Sequence, residues 1–257
     1  MAIVGDLLKE ILEGRIVEVH IGVHWTAVVA EIAGEVRCGL AATPEARHGH
    51  TGQAEVPMAG RVETMAGKEL AQLASSAELA LASMGVAAIN ALLPRELGFR
   101  MEGNAEHILE AEGKGKEVAM VGHFPFAERL RTKVGRLTVL EQHPMSGDFP
   151  AEAAPEILPK ADVVAITGMA LVNGTLEGLL KLCRPDSLTM ILGPSTPMSS
   201  ILFNYGVHLL SGAEVVAVDP VLRTLSQGGN FRQIHKAGVR LVTMAKEGRF
   251  GTPPKGL

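Results

Sequence analysis

The chain has 257 residues, is 47 % hydrophobic and 20 % charged, and carries a formal net charge of −4. That balance supplies a sizeable core and sets disorder aside. Lys and Arg are scattered without a basic stripe, which argues against a nucleic-acid surface, and no run of 18 apolar residues marks a membrane span.

A short amphipathic helix is expected over 3–13, carried by Ile3, Leu7, Leu8, Ile11 and Leu12. It lacks a basic start followed by a continuous apolar run, so no signal peptide is expected. Ile16–Val23 alternates as a half-buried strand, Thr26–Ile32 makes a second, and Gly34 turns the chain into a third at Val36–Leu40. Together they read as an antiparallel meander. Residues 41–60 form a polar loop of a length that is often functional. Two helices follow, the second over about 77–93, with Ala80, Met84, Ala87, Ala88 and Ala91 on one face. The polar, glycine-containing run Glu110–Lys116 reads as a linker, dividing the chain into domains 1–108 and 109–257.

The second half alternates strands with helices. Strands are expected at 117–121, 136–140, 162–167, 188–192, 239–244, and near 207–210 or 214–218. Helices are expected near 125–133, 151–158, 173–183, 197–204 and 220–227. Nearly continuous apolar strands such as Val163–Ile166 mark a parallel sheet covered on both faces. The fold class is therefore α/β: a Rossmann-like, doubly wound, mostly parallel sheet preceded by a smaller α+β domain. Such sheets bind ligands at the carboxyl ends of their strands.

The first of those loops, Gly122-His123-Phe124-Pro125, has one glycine where a dinucleotide fold would carry three. His123 is a candidate proton carrier, metal ligand or hydrogen-bond donor; the alternative is a histidine that fixes the turn. Glu141 ends the second strand and is placed to contact a ligand, ribose included. Its alternatives are a helix cap or an ion pair with Arg129 or Arg131. Asp148 either caps the helix at 151–158 or faces the cleft. Thr167 and Gly168 end the third strand, and Asn173 and Thr175 precede the next helix as ligand contacts or as simple caps. In Gly193-Pro194-Ser195-Thr196-Pro197 a glycine turn leads from a strand into a helix expected to be capped by Thr196, with Pro197 in its first position. Free amides there would meet an anionic or carbonyl group. No GxSxG elbow makes Ser195 a nucleophile. His48 and His50, with Glu45 and Glu55 nearby in the long loop, are the candidate metal ligands, and a divalent ion is the candidate cofactor. Cys38 and Cys183 lie far apart in apolar patterns and read as reduced thiols of a cytoplasmic protein.

These motifs carry a family likeness. Gly122-His123-Phe124-Pro125, Glu141, Gly147-Asp148, the strand Val163–Ile166, Asn173-Gly174-Thr175-Leu176-Glu177 and above all Gly193–Pro197 make the chain similar to the putative heavy-metal chelation domain family. In the first half the likeness rests on Ala59-Gly60, Glu69-Leu70 and Gly85–Leu92. The resemblance implies an N-terminal domain like that of enolase, a Rossmann-like C-terminal domain, and a site in the cleft between them. It also implies metal chelation, in cofactor synthesis or metal handling. The expected function is binding of a small molecule or metal chelate. The Asn173–Thr175 and Gly193–Thr196 turns would hold the ligand, His123, Glu141 and Asp148 would supply acid–base groups, and the 41–60 loop would close the cleft. A nucleotide- or adenosyl-binding enzyme and a non-catalytic carrier or sensor are the alternatives, and a homo-oligomer is left open.

Overall fold

A computed structural model describes residues 1–45, 55–95, 100–103 and 105–247. Strands β1 (Arg15–Ile21), β2 (Trp25–Ile32) and β3 (Glu35–Ala42) form a three-stranded antiparallel meander. The remaining strands are β4 (Arg100–Glu102), β5 (Glu117–Val121), β6 (Arg136–Glu141), β7 (Phe149–Pro150), β8 (Val163–Thr167), β9 (Leu188–Leu192), β10 (Leu209–Val215) and β11 (Val239–Ala245). They make one sheet in the order β4-β11-β10-β9-β8-β5-β6-β7. The pairs from β7 to β10 are parallel, while β11 runs antiparallel to β10 and β4 antiparallel to β11. This is the expected α/β class, a large mostly parallel sheet beside a small antiparallel one.

Alternating side chains of the large sheet feed two cores. Val118, Met120, Val163, Ala165, Leu188 and Met190 pack with helices Ala105–Glu112 and Ala127–Arg131. Ala119, Val164, Ile166 and Ile191 face the other way, into a core that also holds Ile3, Leu7, Leu70, Ile89 and Leu92 from the N-terminal part. The N-terminal helices Ala2–Glu10, Gly67–Gln72 and Leu79–Leu92 thus help to cover that face. Helix Leu79–Leu92 is apolar nearly all round because it is buried nearly all round, between both sheets. The small sheet is covered twice as well. Val28, Ala30 and Ala41 face helix Leu79–Leu92, and Ala27, Val29, Cys38 and Leu40 face helices Val218–Ser226 and Phe231–Gly238.

Several expected elements change form. The run Glu110–Lys116, read as a linker, begins as the last turn of helix Ala105–Glu112, whose Leu109 is fully buried, and continues as a turn over 113–115. The helix expected at 173–183 is present as Leu176–Leu182, and a further short helix, Met169–Val172, precedes it, the two separated at Gly174 with φ +75°. The segment expected as a helix at 197–204 is a 3₁₀ turn, Ser200–Tyr205, capped by Ser199 rather than Thr196. The two alternative strands near 207–218 are one, β10. Residues 46–54 of the long loop, with His48 and His50, lie outside the described residues.

Candidate functional site

From β5 the chain steps to β6 and β7 on one side, then crosses to β8 on the other and continues to β9 and β10. The strand order therefore reverses between β5 and β8, and a crevice opens at the carboxyl ends of strands around such a reversal. A cavity of about 280 Å³ lies there, at the small end of the range for small-molecule sites. Its walls come from the ends of β5, β6 and β8, from Ala151 and Ala154, and from the helices after β8.

Gly122 makes the turn after β5 with φ +98°, and a Cβ there would sit 3.0 Å from the Thr167 side chain. Glycine thus meets both a left-handed backbone and a close approach. The turn carries His123 into the cavity wall. Its Nδ1 lies 2.9 Å from Asp148 Oδ2, whose side chain is fully shielded from solvent, while the His123 side chain is 20 % exposed. The carboxylate favours the tautomer with the proton on Nδ1, which leaves Nε2 with a free lone pair. Asp148 also accepts from Met145 N at 3.2 Å, and Arg131 Nη2 approaches its other oxygen at 3.5 Å. It therefore holds the loop and the histidine, and caps no helix.

Glu141 ends β6 and accepts two main-chain N–H groups, His123 N at 2.8 Å and Gln142 N at 2.7 Å. It pairs with neither arginine: Arg129 bonds Glu106, and Arg131 bonds Glu128 and the loop at 147–148. Asn173 Oδ1 accepts from Thr175 N and Thr175 Oγ1, at 3.1 and 2.7 Å, and so closes its own loop. Thr167 Oγ1 accepts from Met169 N. The cavity thus brings together Gly122, His123, Glu141, Thr167, Asn173 and Thr175, with Asp148 directly behind His123.

Gly168, Gly193, Pro194, Ser195 and Thr196 do not line it. Ser195 and Thr196 are each 2 % exposed. Ser195 Oγ accepts from Ala42 N of β3 at 2.8 Å, Thr196 N donates to Gly193 O, and Gly193 N donates to Ser211 O. The expected amide cradle is thus absorbed into the seam between the two sheets. Gly168 permits this, since a Cβ there would lie 2.7 Å from Thr196 N. A smaller cavity of about 60 Å³ does lie between the N- and C-terminal parts, lined among others by Arg37, Asn90, Thr196 and Glu214. Ser195→Ala is expected to cost about 1–2 kcal/mol in urea unfolding, because a shielded N–H loses its acceptor. It should leave the His123 imidazole resonances in place.

Phe124, Gln142, Met169 and Leu179 line the 280 Å³ cavity too. Nothing in their local pattern separates Met169 or Leu179 from ordinary core residues; only the topology does. Among the described residues no three His, Cys, Asp or Glu side chains group to hold a metal ion. Cys38 is buried and its thiol is pushed up to about 12 by that burial, and burial raises Cys183 as well. Among the described residues no helix is long and apolar enough to cross a membrane.

Fold and cavity together define an α/β protein with a crevice at the reversal of its strand order. Residues 105–244 match the model of the DUF364 family, described as "Putative heavy-metal chelation", and residues 5–93 match a second family model with the same description. The chain belongs to this family. An uncharacterized protein of Methanocaldococcus jannaschii is 26 % identical over 227 residues, 84 % of this chain and 85 % of that one. The crystal structure of a DUF364 protein of unknown function from Desulfitobacterium hafniense DCB-2 is 29 % identical with a TM-score of 0.80, covering 95 % of this chain and 98 % of that one. A second, from Pyrococcus horikoshii, has a TM-score of 0.79 at 21 % identity with the same coverage, which shows the shared fold.

Proposed function

We propose that this protein binds a small molecule or metal chelate in the cavity at the ends of β5, β6 and β8, with His123 Nε2 as the group that meets the ligand. The observation that carries the reading is the His123–Asp148 pair. A shielded carboxylate on Nδ1 fixes the ring, and the opposite nitrogen has no partner among the described residues. An imidazole held this way can accept a proton from a ligand or bond to a metal.

The donor set suits a chelate better than a bare ion. Among the described residues the cavity offers a single free imidazole nitrogen, while both oxygens of Glu141 already accept amides. A metal entering here would bring most of its ligands with it and take one from the protein. The volume of about 280 Å³ suits a compact guest. Where a ligand proton is lost as metal is bound, His123 is placed to receive it. The unpaired cysteines suit a reducing compartment, which favours a cytoplasmic setting.

The test uses copper(II)–diethylenetriamine, a compact complex with one readily exchanged position. It is titrated into the parent and into His123→Ala by calorimetry, with the His123 imidazole followed by NMR before copper broadens it. The parent should show one site that His123→Ala lacks, with melting temperature little changed. Equal binding by the variant removes the reading.

A further inference from the structure

We propose that the Glu141 carboxylate is a built-in anion. It fills the place at the end of β5 where a doubly wound fold would receive a ligand's phosphate, and so reserves the cavity for neutral or positively charged guests. This rests on the cavity being the ligand site.

In folds of this kind the main-chain N–H groups after the first strand point outward and bind phosphate. Here Gly122 N and His123 N, the first two after β5, already have acceptors. His123 N and Gln142 N, from two different loops, converge on the two oxygens of one carboxylate at 2.8 and 2.7 Å. Gly122 N donates to Leu140 O at 2.9 Å, and Gly168 N at the end of β8 donates to Leu192 O at 2.8 Å. Thr175 N donates to Ala170 O and to Asn173 Oδ1, at 2.9 and 3.1 Å. An entering phosphate would have to displace a side-chain anion that the same chain delivers without loss of translational freedom.

Charge points the same way. Among the described residues neither Lys nor Arg lines the cavity, and the ionisable lining residues are His123 and Glu141. Arg131 lies behind, against Asp148, and is taken up by that carboxylate and by Leu137 O and Gly147 O. A second anion beside Glu141 would be repelled at short range, whereas an ammonium group or cationic complex would be attracted. The acid that in dinucleotide folds reads a ribose hydroxyl serves here to exclude the phosphate.

The test has two arms. In the first, inorganic phosphate is titrated into the parent and into Glu141→Ala while the amide resonances of His123 and Gln142 are followed. The variant should bind phosphate at these amides at least about ten-fold more tightly than the parent, since a repulsive charge is gone and two donors are free. Equal affinity, or phosphate already on these amides in the parent, overturns the proposal. The second arm uses the parent alone and decides the matter if Glu141→Ala does not fold. Copper(II)–diethylenetriamine, a dication, should bind at His123 several-fold more tightly than neutral copper(II)–iminodiacetate; equal affinities or the reverse order overturn it. If neither copper complex binds the parent while Glu141→Ala gains phosphate, the plug stands and the ligand reading at His123 fails.

Discussion

Gly85→Ala is expected to destabilise the protein by about 3 kcal/mol or more, read as a lowered urea midpoint. Gly85 lies inside helix Leu79–Leu92, where replacing glycine by alanine ordinarily gains up to about 1 kcal/mol. Here a Cβ would sit 1.9 Å from Ala74 N and 2.5 Å from Leu73 C. Both are backbone atoms of the turn Leu73–Ser75, so no side chain can swing aside. The helix would have to move away from the turn, and with it the layer that joins the two sheets. Gly5→Ala is the matched control. It lies in helix Ala2–Glu10 with nothing within 4 Å of its would-be Cβ, so propensity alone acts and stability should rise slightly. A stabilised Gly85→Ala protein would show that the helix does not pack on that turn.

Asp148→Ala should act on stability and on the site together. The fully shielded carboxylate accepts from His123 Nδ1 and Met145 N and lies beside Arg131. Its removal leaves three donors short of an acceptor, at a cost of about 2–3 kcal/mol. Residues 142–147 are exposed and hang largely on this side chain, on Arg131 to Gly147 O and on Glu141 to Gln142 N. Amide exchange at Met145 should therefore quicken well beyond the change in global stability. A ligand bound to His123 Nε2 should weaken about 10–100-fold, the usual effect of freeing a ligating histidine. Asp148→Asn, which keeps the shape and one acceptor oxygen, should fall between the parent and alanine in both readings. Unchanged exchange at Met145 in the alanine variant would mean that the loop is held some other way.

The sheet was legible in the sequence because its strands are short, apolar on both faces and bounded by turn residues. Val163–Ile166 has no polar side to offer, so it fits only a layer covered twice. The loop after β5 was legible too, because a glycine at a strand end followed by a histidine stands out locally. The Gly193–Pro197 segment misled for an instructive reason. Strand, glycine, cap residue and proline do form a sharp turn, with Gly193 at φ +106°. Whether that turn faces a ligand or another part of the protein depends on what packs against it, and Ala42, Asn90 and Gly168 lie 25 or more positions away in the chain.

Composition and periodicity by themselves determined the α/β class, the meander, the parallel strands and the residues at the strand ends, since each depends on neighbours a few positions apart. The tertiary structure alone decided which strand ends share a crevice. The step from β6 across β5 to β8 puts Gly122, Glu141 and Thr167 around one cavity and turns Ser195 and Thr196 toward the N-terminal sheet. Strand order arises from long-range packing of interchangeable apolar faces, and no local pattern of residues records it.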